Sequence, residues 1–252
     1  MREKKDILFF ILGGFFISNA LVAEFIGVKI FSLEKTIGIL PFEINLFGIE
    51  NLSFNFTAGV LLWPIVFVMT DIINEYFGKK GVRLISYTTA ILIAYAYVMI
   101  YFSMNLAPSD FWIFRETSFG KINMDVAFNT IFSQGNWIII GSLVAFLIGQ
   151  IVDVTVFRYL RKITGSSKIW FRATGSTLVS QLIDSFVVLF IAFYIGSGWS
   201  FNQVIAIAIV NYIYKFFIAI LMTPLLYLIH NMIDKFLGKE LANQMVEEAM
   251  EK

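Results

Sequence analysis

The sequence contains no cysteine and a single histidine, His230, among its 252 residues. The absence of cysteine excludes disulfides, thiolate chemistry and cysteine-based metal sites, and one histidine leaves little for a metal centre or a histidine-based catalytic set. Charged residues are also scarce, at 15%, and the net charge of +1 argues against a nucleic-acid partner. No phosphate-binding loop of the pattern G-x-x-x-x-G-K-[ST] occurs. We therefore expect no cofactor and no enzymatic activity.

Apolar residues dominate what is present. The chain is 58% hydrophobic, and its mean hydropathy is +0.79. Because soluble domains carry about a quarter charged residues, this composition indicates an integral membrane protein. Six stretches reach the roughly 20 residues that a membrane helix needs; they run over residues 7–31, 56–77, 84–104, 137–159, 173–195 and 204–230. The sequence thus predicts an all-α, polytopic membrane protein, a bundle of six transmembrane helices over residues 1–234.

The basic residues are distributed unevenly between the connections. If there are six spans, both ends of the chain and two connections share one side, and these regions hold most of the lysines and arginines: Arg2, Lys4, Lys5, Lys79, Lys80, Arg83, Arg158, Arg161, Lys162, Lys168, Arg172, Lys235, Lys239 and Lys252. The opposite connections hold only Lys35, Arg115 and Lys121. Because cytoplasmic loops of membrane proteins are enriched in basic residues, both termini are expected in the cytoplasm. Residues 235–252 are expected to form a cytoplasmic tail, and the protein to lie in a cell membrane.

One of the two long connections on the less basic side shows a pattern of its own. Residues 32–55 alternate loosely between apolar and polar side chains, as in Ile37, Ile39, Phe42, Ile44 and Leu46. Such alternation is typical of short strands. We expect a short hairpin here, lying over the mouth of the bundle.

Two charged residues of opposite sign are expected at the centre of the membrane. Asp184 and Lys215 each lie 11 residues into their predicted spans, about 16 Å deep at 1.5 Å per residue. A tight connection joins these two spans, so an ion pair or a shared ligand is available to them. Asn19 is at a similar depth in the first span. Ionisable groups at this depth are costly and usually mark a path for a solute or a proton.

Helical spacing places further polar residues beside this pair. Thr177, Gln181 and Asp184 share one helix face, and Asn211 is four residues before Lys215. Structural roles are open alternatives: Asp184 and Lys215 as a packing ion pair, and the amides as hydrogen bonds between helices.

The predicted inner half of the bundle has its own polar residues. Gln150 and Asp153 are three residues apart in the fourth span, and Asp71 precedes Glu75 by one turn in the second. Asp153 is alternatively an interfacial partner of Arg158 or Arg161, and Glu75 of Lys79. A divalent cation on Asp71, Glu75 and Asp153 would suit an intramembrane enzyme. That hypothesis ranks below a transporter, because no catalytic serine–histidine set accompanies the carboxylates.

Four segments of the chain, taken in order, resemble one known family. They are WPIVFVMTDIINEYFGKKGVR at 63–83, GQIVDVTVFRYLR at 149–161, WFRATGSTLVSQLIDS at 170–185 and NYIYK at 211–215. The chain is similar here to the queuosine precursor transporter family, also described as a vitamin uptake family. The two long connections match nothing in that family.

The resemblance implies six membrane helices and uptake of 7-deazaguanine compounds for transfer RNA modification. The cargo would be the cyano- or aminomethyl-substituted precursor or the free base queuine. The resemblance also allows a second function, the substrate-binding subunit of an energy-coupling-factor vitamin importer.

The residue chemistry fits such a nucleobase-like substrate. A carboxylate accepts both the ring N–H and the amine of a guanine-like edge, and amides complement the ring carbonyl. We expect Asp184 to bind that edge with Gln181 and Asn211 beside it, and Lys215 to pair with Asp184. Asn19 is a further candidate, and Asp71, Gln150 and Asp153 are expected to line the cytoplasmic half of the path. The sequence leaves open a homo-oligomer, a partner ATPase module, and whether a proton on Asp153 or Asp71 drives transport.

Overall fold

The computed structural model describes residues 2–118, 120–133, 136–164 and 168–251; Lys252, part of the predicted tail, lies outside them. Long helices form most of the described chain, and short strands fill the connections. In chain order the helices are α1 (Arg2–Ile26), α2 (Leu33–Thr36), α3 (Trp63–Met104), α4 (Asp110–Ile113), α5 (Met124–Phe132), α6 (Asn136–Thr164), α7 (Ile169–Leu189), α8 (Phe201–Leu221), α9 (Thr223–Leu237) and α10 (Lys239–Glu251). The strands are β1 (Ile30–Ser32), β2 (Ile44–Leu46), β3 (Ile49–Leu52), β4 (Asn55–Thr57), β5 (Phe114–Thr117) and β6 (Gly120–Asn123).

Five helical segments of the described chain are long and apolar enough to cross a membrane. They are Glu3–Ile26, Trp63–Met104, Met124–Thr164, Ile169–Ile195 and Phe201–Leu221. An all-α membrane protein is therefore confirmed. The count differs from the six predicted spans because the second and third both fall within α3.

Gly78 interrupts α3 between these two predicted spans. Its backbone lies at φ 66° and ψ −170°, a conformation that is essentially restricted to glycine. A side chain here would also meet the main chain of Ala249, whose carbonyl oxygen is 3.0 Å from the position of a Cβ atom. Just before this point the ring of Phe77 packs on Phe9 near the start of α1, with ring centroids 4.9 Å apart.

Contacts with α1 show that the chain reverses its direction at Gly78. Gly59, just before α3, lies against the carbonyl of Ala23 near the end of α1. Tyr97, nineteen residues after Gly78, donates a 3.2 Å hydrogen bond to Glu24, which is also near the end of α1. Both arms of α3 therefore run along α1 in opposite directions. We call the end of the bundle that holds Gly78 and the start of α1 the terminal face, and the end that holds Glu24 the strand face.

Helices α6 and α7 pack against each other over much of their length. A Cβ atom at Gly141 would lie 3.0 Å from the carbonyl oxygen of Val188, so the small residue allows the close approach. The helical path of α7 continues as a π-helical segment, Phe190–Ile195. Helix α8 then runs only to Leu221, and Pro224 occupies the start of α9. The last predicted span, 204–230, is thus divided between two helices, because proline cannot donate the hydrogen bond that would continue α8.

The predicted hairpin in residues 32–55 is confirmed. Strand β2 pairs with β3 to form the hairpin. Strand β1 pairs with β4 and so joins the two ends of the loop that carries the hairpin. Buried Glu34 holds this loop together, since its carboxylate accepts hydrogen bonds from Phe54 N at 2.7 Å and from Ser32 Oγ at 3.1 Å. Burial acts to raise the pKa of Glu34, but these hydrogen bonds outweigh it and hold the pKa below its ordinary value. The ring of Phe56 packs on Tyr214 of α8, 4.4 Å away, and so anchors the loop to the bundle.

The C-terminal helices α9 and α10 cover the terminal face. Tyr76 donates a 2.6 Å hydrogen bond to Asp234 of α9, and Lys5 of α1 pairs with Glu248 of α10 at 3.3 Å. Two apolar side chains of α9, Ile233 and Leu237, join the core. Both ends of the described chain therefore lie at the same face.

Candidate functional site

Polar side chains follow one face of α7 through most of its length. Positions three and four apart share a face of a helix, and the sequence predicted such a line through Thr177, Gln181 and Asp184. The structure extends this line toward both ends of the helix. Its members are buried or half-buried: Arg172, Ser176, Thr177, Ser180, Gln181, Asp184 and Ser185.

Asp184 and Lys215 form an ion pair between α7 and α8. Lys215 Nζ lies 2.6 Å from Asp184 Oδ2, so these two residues form the ion pair that the sequence analysis gave as one of two possibilities. Their side chains are 21% and 14% exposed, unlike the fully buried pairs elsewhere in the bundle. The contact uses Asp184 Oδ2, which leaves Oδ1 for another donor.

A large cavity of about 380 Å³ opens beside this ion pair. Its volume is within the roughly 300–1,000 Å³ typical of small-molecule sites. Asp184, Lys215 and Asn211 all line it. Asn211 donates its Nδ2 to the carbonyl of Ile207 in its own helix at 3.0 Å, and this bond does not use its amide oxygen. Aromatic side chains form much of the remaining wall: Phe25, Phe56, Trp63, Tyr97, Phe132, Phe193 and Trp199.

A small cavity of about 30 Å³ lies on the other side of Lys215. Lys215 and Trp63 border both cavities, and Asp71, Thr177 and Gln181 border only the small one. Its volume suffices for a water molecule or two. Within the described residues, nothing donates to the buried Oε1 atom of Gln181. The small cavity therefore extends the polar surface from the ion pair toward Asp71.

Asp71 and Asp153 are buried against the polar face of α7. Thr177 donates to Asp71 Oδ2 at 3.2 Å, and Ser180 donates to Asp153 Oδ1 at 3.2 Å. Among the residues that the structure describes, Asp153 Oδ2 has no hydrogen-bond partner. The alternative of an interfacial pair between Asp153 and Arg158 or Arg161 is wrong among the described residues, because Asp153 is buried and bonded to Ser180 of α7, and Arg161 pairs with Glu75.

Gln150 is held by hydroxyl groups of α3 and lines neither the large nor the small cavity. Its Oε1 accepts from Ser86 at 3.2 Å, and its amide group also bonds the Thr70 hydroxyl. Asn19 lies apart from the other candidates. Its amide donates to the carbonyl of Phe15 in α1 at 2.8 Å, and the residue borders neither of these cavities.

Glu75 has a larger structural role than the sequence analysis predicted. Its expected partner was Lys79, but it is buried and binds Arg172 instead, with 2.6 Å between Oε1 and Nη2 and 3.2 Å between Oε2 and Nε. Arg161 lies 3.6 Å from the same carboxylate and donates to the carbonyl of Val246 in α10 at 2.7 Å. These contacts join α3, α6, α7 and α10 near the terminal face. The signal that could have identified Arg172 was its position four residues before Ser176, on the polar face of α7.

Glu24 was also missed as a site residue. It lines the large cavity, and its Oε2 accepts hydrogen bonds from Tyr97 at 3.2 Å and from Ser142 Oγ at 2.9 Å. A carboxylate inside the first apolar run was the signal that could have identified it.

Comparison with known proteins supplies the family. Residues 57–229 match a family model described as "Putative vitamin uptake transporter". A relative from Bacillus subtilis (strain 168), named "Probable queuosine precursor transporter", is 29% identical over 75% of this chain and 76% of its own length. A protein from Escherichia coli (strain K12), named "Queuosine precursor transporter", is 29% identical over 75% of this chain and 80% of its own. A third, from Haemophilus influenzae, shares the first relative's name and 29% identity, over 73% of this chain and 74% of its own.

No solved structure matches this chain. The family match covers more than half of the sequence and includes α3, the polar face of α7 and Lys215. Together with the apolar helices, it shows that the chain belongs to this vitamin uptake transporter family: it is a multi-pass bacterial membrane transporter and not an enzyme.

Proposed function

We propose that the protein imports queuosine precursors, which are 7-deazaguanine bases, and that the large cavity binds them. The names of the three relatives support the substrate class. The observation that carries the site is the ion pair of Asp184 and Lys215 in the wall of a 380 Å³ cavity. An engineered cavity of about 150 Å³ holds benzene, so this one has room for a bicyclic base with a substituent.

The groups around the cavity complement such a base. A guanine-like edge presents a ring N–H beside an exocyclic amine, and the Asp184 carboxylate accepts both in a charge-assisted pair. Lys215 balances the charge of Asp184 when no substrate is bound. Asn211 on the same wall keeps a second amide hydrogen for the ring carbonyl, and Gln181 borders the adjoining small cavity. Aromatic residues such as Trp63 and Phe56 provide flat surfaces on which the base stacks.

We further propose six membrane crossings with both termini in the cytoplasm. The reversal at Gly78 supports two separate crossings within α3. The contact of Lys5 with Glu248 keeps the two ends of the described chain at one face, as an even number of crossings requires. The terminal face also carries the basic connections, which favours its placement in the cytoplasm. The large cavity then lies toward the outside, and Asp71, Gln150 and Asp153 lie in the inner half of the bundle.

A capture subunit of an energy-coupling-factor importer is not favoured, because the relatives are themselves named as transporters. Transport by the purified chain in liposomes distinguishes the two, since a capture subunit requires an ATPase module. In either case, release of the substrate into the cytoplasm requires the contacts that α9 and α10 make at the terminal face to open.

Uptake of a labelled 7-deazaguanine base by cells that cannot synthesise it tests the proposal. We expect Asp184→Asn to lower the uptake rate at least tenfold, because the neutral amide accepts the guanine-like edge more weakly than a carboxylate does. Glu50→Gln, a similar loss of charge on an exposed strand of the loop, serves as the matched control. Undiminished uptake by Asp184→Asn would remove Asp184 from the site, and no uptake by the unmodified chain would reject the substrate class.

A further inference from the structure

The large cavity contains more negative than positive groups. Among the described residues that line it, the acidic side chains are Glu24 and Asp184, and the basic one is Lys215. Lys215 is bound to Asp184 at 2.6 Å and so compensates that carboxylate. Glu24 has no salt bridge within the described part of the chain. The cavity therefore has one carboxylate beyond what its own lysine balances.

Neutral hydroxyl groups orient Glu24 without compensating its charge. Tyr97, in the second arm of α3, and Ser142, in α6, both donate to the same oxygen, Oε2. Neither bond uses Oε1. Because Glu24 belongs to α1 and Asp184 to α7, the two carboxylates stand on separate helices that border one space. A ligand in the cavity can contact both.

We infer that Glu24 binds a protonated amine on the substrate, so that the cavity selects cationic 7-deazaguanines over neutral ones. This inference rests on the proposed function and adds to it the charge of the preferred cargo. Asp184 binds the guanine-like edge of the base, and Glu24 binds the ammonium group carried by the substituent on the five-membered ring. An aliphatic amine resembles that of lysine and is protonated near neutral pH. The aminomethyl base carries such a group, and the cyano base does not.

A carboxylate left uncompensated at membrane depth is costly in the absence of a ligand. A bound ammonium group supplies the missing charge, and a hydrogen bond between charged groups is stronger than one between neutral groups. The cyano base offers Glu24 only a hydrogen-bond acceptor, which a carboxylate cannot satisfy. The selectivity thus comes from attraction of the cation and from poor accommodation of the neutral base.

The ratio of aminomethyl-base to cyano-base uptake tests this inference. Both labelled bases are supplied to the purified protein in liposomes, and initial rates are compared for the unmodified chain and Glu24→Gln. We expect the unmodified chain to prefer the aminomethyl base and Glu24→Gln to lower the ratio roughly tenfold or more, because a charge-assisted bond is replaced by a neutral one. Glu24→Asp keeps the charge on a shorter side chain and should retain part of the preference.

Glu50→Gln, the loop variant, is again the control and should leave the ratio unchanged. An unchanged ratio in Glu24→Gln, or parallel loss of both bases, would overturn the role of Glu24 in selectivity. A preference of the unmodified chain for the cyano base would overturn it as well. Failure of the unmodified chain to take up either base would instead reject the proposed function.

Discussion

The bundle contains two polar regions, and they differ in the space around them. In the first, Asp184, Lys215 and Glu24 border a cavity of about 380 Å³. In the second, Glu75 and Arg172 are 2% and 1% exposed and contact each other directly. The first region has room for a ligand, and the second uses its polar groups on one another. Polarity within an apolar helix is therefore a sign of either function or packing, and the free volume beside it separates the two.

The comparison predicts its largest effect on stability in the closely packed region. Glu75→Gln leaves two buried guanidinium groups without their carboxylate, and breaking a buried pair in this way costs roughly 3–5 kcal/mol. We expect the free energy of unfolding in detergent to fall by about that amount. The matched control is Glu248→Gln, which disrupts the more exposed pair with Lys5 and should cost no more than about 1 kcal/mol. A cost of no more than about 1 kcal/mol for Glu75→Gln as well would show that the buried network does not stabilise the bundle.

A second substitution probes the cavity instead. Lys215→Met keeps the length of the side chain and removes its charge, so Asp184 loses the partner that holds its carboxylate in place. We expect uptake of the aminomethyl base to fall about tenfold, and the free energy of unfolding to fall less than in Glu75→Gln, because Asp184 borders open space. Lys235→Met, at an exposed position of α9, is the control. Normal uptake by Lys215→Met would assign the ion pair to packing alone.

The elements that follow from local pattern were predictable from the sequence. Apolar runs located the long helices, alternation in residues 32–55 located the β2–β3 hairpin, and helical rise brought Asp184 to the level of Lys215. The polar face of α7 was visible in part, since Thr177, Gln181 and Asp184 recur at helical spacing. Each of these depends on residues close together in the chain or on a depth that the bilayer imposes.

What the sequence did not reveal depends on contacts between distant segments. Glu75 and Arg172 are 97 residues apart, and Glu24 is 118 residues from Ser142. The nearby Lys79 therefore seemed a sufficient partner for Glu75. Asn19 has an expected depth similar to that of Asp184, but depth does not fix the direction of a side chain around its helix. Its amide bonds its own helix rather than the site.

The account's central claim is that the large cavity is where the substrate binds, and filling the cavity tests it most directly. Val188 lines the cavity, whereas Ile148 is exposed on the surface of α6. Equilibrium binding of the labelled aminomethyl base to purified protein is measured for the unmodified chain, Val188→Trp and Ile148→Trp. We predict that Val188→Trp weakens binding at least tenfold while Ile148→Trp binds as the unmodified chain does. Unweakened binding by a folded Val188→Trp protein would contradict the claim.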